Sequence, residues 1–320
     1  MNDKQLEYVV EVLEREISGY SKDYVPERIS LLRECVRELK GEVTQLTDYH
    51  LQELQKCKDD IVYFAEKYVT INNVFSGAVR FNPYPHQKEL LRVIQNNNYV
   101  IGKLMRQSGK TVCGIVAILH ELVFGEPKTI GILSYKKEQS RQILDTIKLY
   151  YSCLPDWMTF KIVKDNKEQF QLEKGSYVDV ITVRSFCGKT YDTILLDEYA
   201  FLFGGKVFLL DDKQKNSSEA VDLKGLKEYN DFWKVFLPLM TCQNDQRILI
   251  LSTISSTNKN HYFNKLWLES SRANNNFVAF ESNWKDYPEL DEKWSSSIVK
   301  NIGEGAFSLE YECKIEEDSP

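Results

Sequence analysis

The sequence predicts an α/β fold, a mostly parallel sheet flanked by helices, and three observations predict it. Beyond about residue 76, short β-rich runs alternate with helix-like stretches, the pattern of strands joined by crossover helices. Several of these runs are apolar throughout rather than alternating, as strands buried on both faces are. The length, 320 residues with 42% hydrophobic, suffices for one large domain with a helical appendage and falls short of two full domains.

Residues 1–75 are expected to form a helical lead-in. Leu6, Val9, Val10, Leu13 and Ile17 recur at helical spacing, and Pro26 stands near the start of a second segment carrying Ile29, Leu32, Val36 and Leu39. Asp59 and Asp60 are placed to cap a third helix running through Phe64 to Val69. A loop with Gly77, Pro83 and Pro85 then opens a core expected over residues 76–260. Its parallel strands are predicted at residues 99–105, 129–133, 193–196 and 247–252, with a hairpin around Lys174 and Gly175. Residues 204–231 turn polar and charge-mixed, with Asp211-Asp-Lys-Gln-Lys-Asn-Ser-Ser218 at their centre, and are expected to be a surface insertion that is partly disordered. Residues 261–320, with Trp267, Trp284 and Trp294, are expected to be a smaller packing subdomain that caps the sheet edge.

Composition narrows the function. No run approaches the roughly 18 apolar residues of a membrane-spanning helix, and the polar, acidic start Met1-Asn-Asp-Lys-Gln is unlike a secretory or organellar leader, so a cytosolic location is expected. Seven cysteines are scattered with no CxxC pair, and four histidines are equally dispersed, which suggests neither a disulfide framework nor a zinc site. A metal must therefore be held by oxygen. The net charge of -6, from 41 basic and 47 acidic residues, is not that of a protein gripping nucleic acid over its whole surface.

The strongest local signal is Leu104-Met-Arg-Gln-Ser-Gly109-Lys110-Thr111, which follows an apolar strand and opens a helix containing Val112, Ile115, Val116, Leu119 and Leu122. That is the setting of a phosphate-binding loop: backbone N–H groups and the helix dipole face the anion, Gly109 permits close approach, Lys110 bridges β/γ oxygens and Thr111 offers a hydroxyl to Mg²⁺. Leu104 stands where the full pattern has glycine, and the GK[ST] core alone is a weak signal. Independent support comes from Thr193-Ile-Leu-Leu-Asp197-Glu198, an apolar run delivering two acids to the carboxyl edge of a parallel sheet, where Asp197 would hold Mg²⁺ through water and Glu198 would orient the attacking water. A strand merely ending in a solvated acidic turn is the alternative.

Three further features fit. Arg106 either reaches the γ-phosphate as a finger in cis or is a surface arginine. Gln87, at the start of a helix, either pairs with an adenine edge or is a polar residue of a helix N-terminus. Ser252, Thr253 and Ile254 end a hydrophobic strand beside the acids, where the hydroxyls either sense the γ-phosphate or satisfy strand-end backbone.

With these elements in order, the chain resembles the large terminase subunit of tailed bacteriophages, from about Asp60 to the C-terminus. Asp60-Ile-Val-Tyr-Phe-Ala-Glu-Lys-Tyr-Val is similar to that family's segment ahead of its adenine-binding glutamine. Arg106-Gln-Ser-Gly-Lys-Thr is similar to its deviant phosphate loop, which also lacks the first glycine, and Asp197-Glu198-Tyr-Ala-Phe to its second motif. Leu251-Ser-Thr-Ile and Asn260-His-Tyr-Phe-Asn-Lys-Leu-Trp267 are similar to its coupling motif and the aromatic segment after it. The resemblance implies a RecA-like P-loop ATPase. Its implied nucleotide site comprises Gln87, Arg106, Gln107, Ser108, Gly109, Lys110 and Thr111, with metal binding by Thr111 and Asp197, catalysis by Glu198, Arg106 and Lys110, and coupling through Ser252, Thr253 and Ile254.

The implied cofactors are ATP and Mg²⁺. The implied partners are double-stranded DNA, a portal protein, a small terminase subunit and further copies in a homo-oligomeric ring on the portal, in the host cytoplasm and without a membrane. Cys187-Gly188-Lys189 stands where the family often shows an arginine before the glycine, so the finger acting between subunits has no obvious source here. The family's nuclease domain is expected to be absent, because the sequence stops at Pro320. Two rivals share these motifs, a helicase-like DNA translocase and a nucleotide-binding switch without turnover.

Overall fold

A computed structural model of the chain describes residues 48–73, 77–183, 189–204, 223–242 and 246–316. The expected helices before residue 48, and residues 205–222 of the expected insertion, lie outside the described residues. The described part opens with helix α1 (Asp48–Asp59) and α2 (Ile61–Tyr68), the latter capped as predicted by Asp60, whose carboxylate accepts from Val62 N and Tyr63 N. The lead-in does not end as helix. Strand β1 (Thr70–Asn73) pairs antiparallel with β2 (Gly77–Arg80), a two-stranded ribbon that no sequence signal announced.

Helix α3 (Pro85–Asn96) then leads into the main sheet, with Pro85 at its first turn, where the missing N–H costs nothing. The sheet contains β3 (Tyr99–Leu104), β4 (Thr129–Ser134), β5 (Ile162–Asp165), β6 (Gln169–Leu172), β7 (Tyr177–Val180), β8 (Thr193–Asp197), β9 (Arg247–Ser252) and β10 (Val278–Ser282), in the order β10-β3-β9-β8-β4-β7-β6-β5. From β10 to β7 the neighbours are parallel, and β6 and β5 close the far edge antiparallel. The predicted hairpin is β6–β7. The predicted four-strand parallel core falls short by β7 and β10, and β5 was not foreseen. β10 lies within the segment expected only to cap the sheet edge, yet it pairs with β3 and is itself the edge strand.

Side-chain alternation sorts the sheet into two apolar layers. Val100, Leu104, Leu195, Leu249 and Leu251 face one core cluster, shared with α1, α2, α3, α4 (Lys110–Phe124) and α5 (Lys137–Ser152). Ile101, Ile194, Leu196, Ile248 and Ile250 face the other, shared with α6 (Leu223–Cys242), α7 (Tyr262–Ser271) and residues Trp284, Phe307 and Cys313 near the C-terminus. Helix α6 begins at Leu223, inside the stretch expected to be an exposed insertion, and buries Phe232 and Phe236. Complete burial of a Leu or Ile side chain is worth about 1.5–3 kcal/mol, so these runs specify the sheet strongly. The chain ends in α8 (Glu292–Ile302), the short α9 (Glu304–Phe307) and a wide turn over Ser308–Glu312. Among the described residues no helix is long and apolar enough to cross a membrane.

Candidate active site

The register of the sheet brings the predicted motifs to one edge. Lys103 is level with Ser252 across β3–β9, Leu251 with Asp197 across β9–β8, and Asp197 with Ser134 across β8–β4. The carboxyl ends of β3, β9 and β8 therefore lie side by side, with β9 between the strand that feeds the phosphate loop and the strand that carries the acids. Strands β3 and β8 could not both turn out at this edge unless they ran parallel.

Gly109 N-caps α4 at φ 75, a left-handed conformation that favours glycine, and a Cβ there would come within 2.3 Å of Gln87 Nε2. Gln107 and Glu198, which are not glycine, also have positive φ, at 61 and 51. Such residues are costly and persist where the surroundings over-determine them, which is characteristic of functional sites. Lys110 is almost fully buried, and its Nζ lies 2.8 Å from Glu198 Oε1 and donates to Thr253 Oγ1 at 3.1 Å. Thr111 Oγ1 lies 3.1 and 3.2 Å from the two Asp197 oxygens. Glu198 Oε2 is buried without a hydrogen-bond partner.

Burial, then the Glu198 carboxylate beside it, push the Asp197 carboxyl up to about 7, against the pull of Lys110 and the Thr111 hydroxyl. This donor set fits a magnesium-bound triphosphate. It offers one hydroxyl and one carboxylate to a hard cation that keeps most of its shell for water and phosphate, a buried acid whose charge such a cation would stabilise, and an acceptor oxygen still unpaired. Among the described residues no group of three or more His, Cys, Asp or Glu forms a metal cage.

No family model matches the chain. Among solved structures it is similar to the large terminase of bacteriophage HK97, at 15% identity and a TM-score of 0.58, over 81% of this chain and 55% of that one. It is also similar to the ATPase domain of the Thermus phage P74-26 large terminase, at 14% identity and a TM-score of 0.51, over 85% of this chain and 99% of that domain. The fold is that of a large-terminase ATPase domain. The chain spans about 55% of the length of the HK97 terminase chain that it matches.

On this fold, not every predicted residue joins the centre. Lys110, Thr111, Asp197, Glu198 and Thr253 converge. Ser252 and Ile254 flank Thr253 and are buried, with the Ser252 hydroxyl accepting from Ala200 N at 3.0 Å and the Ile254 side chain in the apolar core. Arg106 points elsewhere: its side chain is 67% exposed, its guanidinium lies 3.3 Å from the Glu310 carboxylate, and its backbone N–H donates to Glu310 O at 3.0 Å. Ser108 is buried.

Gln87 stands in the first turn of α3, as the second of its two readings has it. Its Oε1 accepts from Tyr84 N at 2.9 Å and its Nε2 donates to Ser108 O at 2.8 Å, with the side chain buried. Each end of the amide makes one hydrogen bond inside the protein and keeps one further acceptor or donor site, so in this geometry Gln87 braces the phosphate loop. Lys189, beside the expected finger position, lies in a cleft of about 380 Å³ with Lys137, Lys164 and Glu168, its Nζ 2.8 Å from Asp179. Cys187 and Gly188 lie outside the described residues. Sequence reasoning gave Glu310 and Ser255 no role, because their partners Arg106 and Ala200 are remote in the chain, and it noted His261 only within the aromatic segment.

Proposed function

We propose that this chain is the ATPase motor of a viral DNA-packaging machine, hydrolysing ATP with Mg²⁺ to drive double-stranded DNA into a procapsid. The observation that carries this reading is the meeting of Lys110, Thr111, Asp197 and Glu198 at one sheet edge of a large-terminase ATPase fold. Lys110 would leave Glu198 for the β/γ oxygens of the nucleotide, and Glu198, so released, would accept a proton from the attacking water. Thr111 and Asp197 would hold Mg²⁺, which when bound supplies neutralisation of charge on the transferring phosphoryl group.

Arg106 would serve the γ-phosphate in cis after parting from Glu310, an exposed pair of the kind worth only about 0–1 kcal/mol. Ser252, Thr253 and Ile254 would pass the loss of phosphate to the rest of the motor, since Thr253 touches Lys110 and Ser252 touches the turn after Glu198. The partners in this reading are duplex DNA, a portal protein, a small terminase subunit and further copies of the chain in a ring, in the host cytoplasm.

Phosphate release measured beside nucleotide binding tests the reading. Glu198→Gln should keep its affinity for ATP within a few fold and lose turnover by about a hundredfold or more, the range of a lost general base. Lys110→Ala should weaken binding itself. Turnover at the wild-type rate in Glu198→Gln would discard the assignment, and a wild-type chain that binds ATP without releasing phosphate would be a switch.

A further inference from the structure

The turn that follows Glu198 is held from three sides. Glu198 sits at φ 51 and ψ 42, a left-handed conformation that a residue with a side chain adopts only under constraint, and it leads into the short turn Tyr199–Phe201. The Ala200 N–H donates to Ser252 Oγ at 3.0 Å, and the Ala200 carbonyl accepts from Ser255 Oγ at 3.0 Å. The Tyr199 carbonyl accepts from Tyr262 Oη at 2.6 Å. Both polar groups of one peptide residue are thus gripped by hydroxyls from the end of β9 and the loop leaving it.

Ser255 is itself fixed. His261 Nε2 lies 2.9 Å from Ser255 Oγ, while His261 Nδ1 accepts from Phe263 N at 3.4 Å at the start of α7. With Nδ1 accepting, the ring proton belongs on Nε2, so the imidazole donates to Ser255 and leaves the serine hydrogen for Ala200 O. His261 is fully buried, and burial brings its basicity down to about 4, so the ring is neutral and this direction of donation is constant at neutral pH. This is the reverse of an activated serine, whose proton a histidine accepts.

We propose that Ser255 and His261 are positioning residues for Glu198, locking the turn behind it so that its carboxylate is presented toward Lys110 and the reacting water. This rests on the ATPase reading above. The chain His261–Ser255–Ala200 begins at the N-cap of α7, whose first residue, Tyr262, is the third clamp, so the turn behind the acid is tied to α7. Neither residue is among those assigned to the nucleotide; each acts through the backbone of residues 198–200.

The test compares Ser255→Ala with Ser255→Thr, which retains a hydroxyl, in the full chain. Three quantities are read: steady-state phosphate release, affinity for a fluorescent ATP analogue, and amide hydrogen exchange at Ala200. In Ser255→Ala, kcat should fall about tenfold or more, as slight misplacement of a reacting group does. KM and analogue affinity should stay within about twofold, and the Ala200 amide should exchange faster while β8 and β9 keep their protection. Ser255→Thr should recover most of kcat. The proposal is overturned by a wild-type kcat in Ser255→Ala, by equal losses in both variants, or by a loss of analogue affinity matching the loss of rate. A wild-type chain that binds the analogue but releases no phosphate defeats the ATPase reading and this inference with it, an outcome distinct from an active wild type with unaffected variants.

Discussion

Gln87→Ala separates a brace of the phosphate loop from a reader of the base. In the folded chain the amide closes two hydrogen bonds, to Tyr84 N at 2.9 Å and to Ser108 O at 2.8 Å, in a buried position directly beneath Gly109. Each such bond contributes about 1 kcal/mol net, and a partner left buried and unpaired costs about 1–3 kcal/mol, so truncation should destabilise the protein by roughly 2–4 kcal/mol. Because Ser108 lies one residue before the N-cap of α4, the loss falls on the loop that would meet the phosphates in the proposed ATPase, and every nucleoside triphosphate shares those phosphates. The expected result is a lower Tm together with an equal loss of affinity for ATP and for GTP, measured by calorimetry on the same preparation. A loss confined to ATP, with GTP unaffected and Tm unchanged, would show that the amide contacts adenine and would refute the bracing assignment.

Two further outcomes follow from the geometry. Gly109→Ala places a methyl 2.3 Å from Gln87 Nε2 at a residue with φ 75, adding about 1–2 kcal/mol of backbone strain, and should cost nucleotide affinity about tenfold or more while the apolar core melts little changed. Hydrogen bonds from Lys67, then Tyr68, hold the Glu53 carboxyl down at about 2, well below its ordinary range near 4.3. Its stabilising effect is therefore complete above about pH 4.3 and fades as pH falls toward 2. Urea unfolding at pH 7, 4 and 3 should show a steeper acid loss for the wild type than for Glu53→Gln, and parallel curves would contradict the assignment.

Much of the fold was legible in the residue order because its signals are local. An all-apolar run of five or six residues can only be a strand buried on both faces or a short buried helix, and the Gly-Lys-Thr that follows one such run and opens an amphipathic helix has few other uses. The Asp60 cap and the strands ending at Ser252 and Asp197 were recoverable for the same reason. Motif order led to the expectation that the lysine-bearing loop and the two acids converge on one site, and parallel register brings Lys110 to 2.8 Å from Glu198. β10 escaped notice because Val278, Ala279 and Phe280 are followed at once by Glu281 and Ser282, so it lacks the longer apolar runs of β8 and β9.

What the residue order determined by itself was the kind of fold and which residue types arrive at the carboxyl edge of the sheet, since periodicity and motif spacing are properties of adjacent residues. Only the tertiary structure decided which partner each side chain takes: Gln87 turned inward onto Ser108, Arg106 paired with Glu310 some two hundred residues away, and Ala200 gripped by Ser252 and Ser255. The physical reason is that a hydrogen bond depends on placement to within a few tenths of an ångström between groups brought together by packing, and no pattern along the chain specifies that distance.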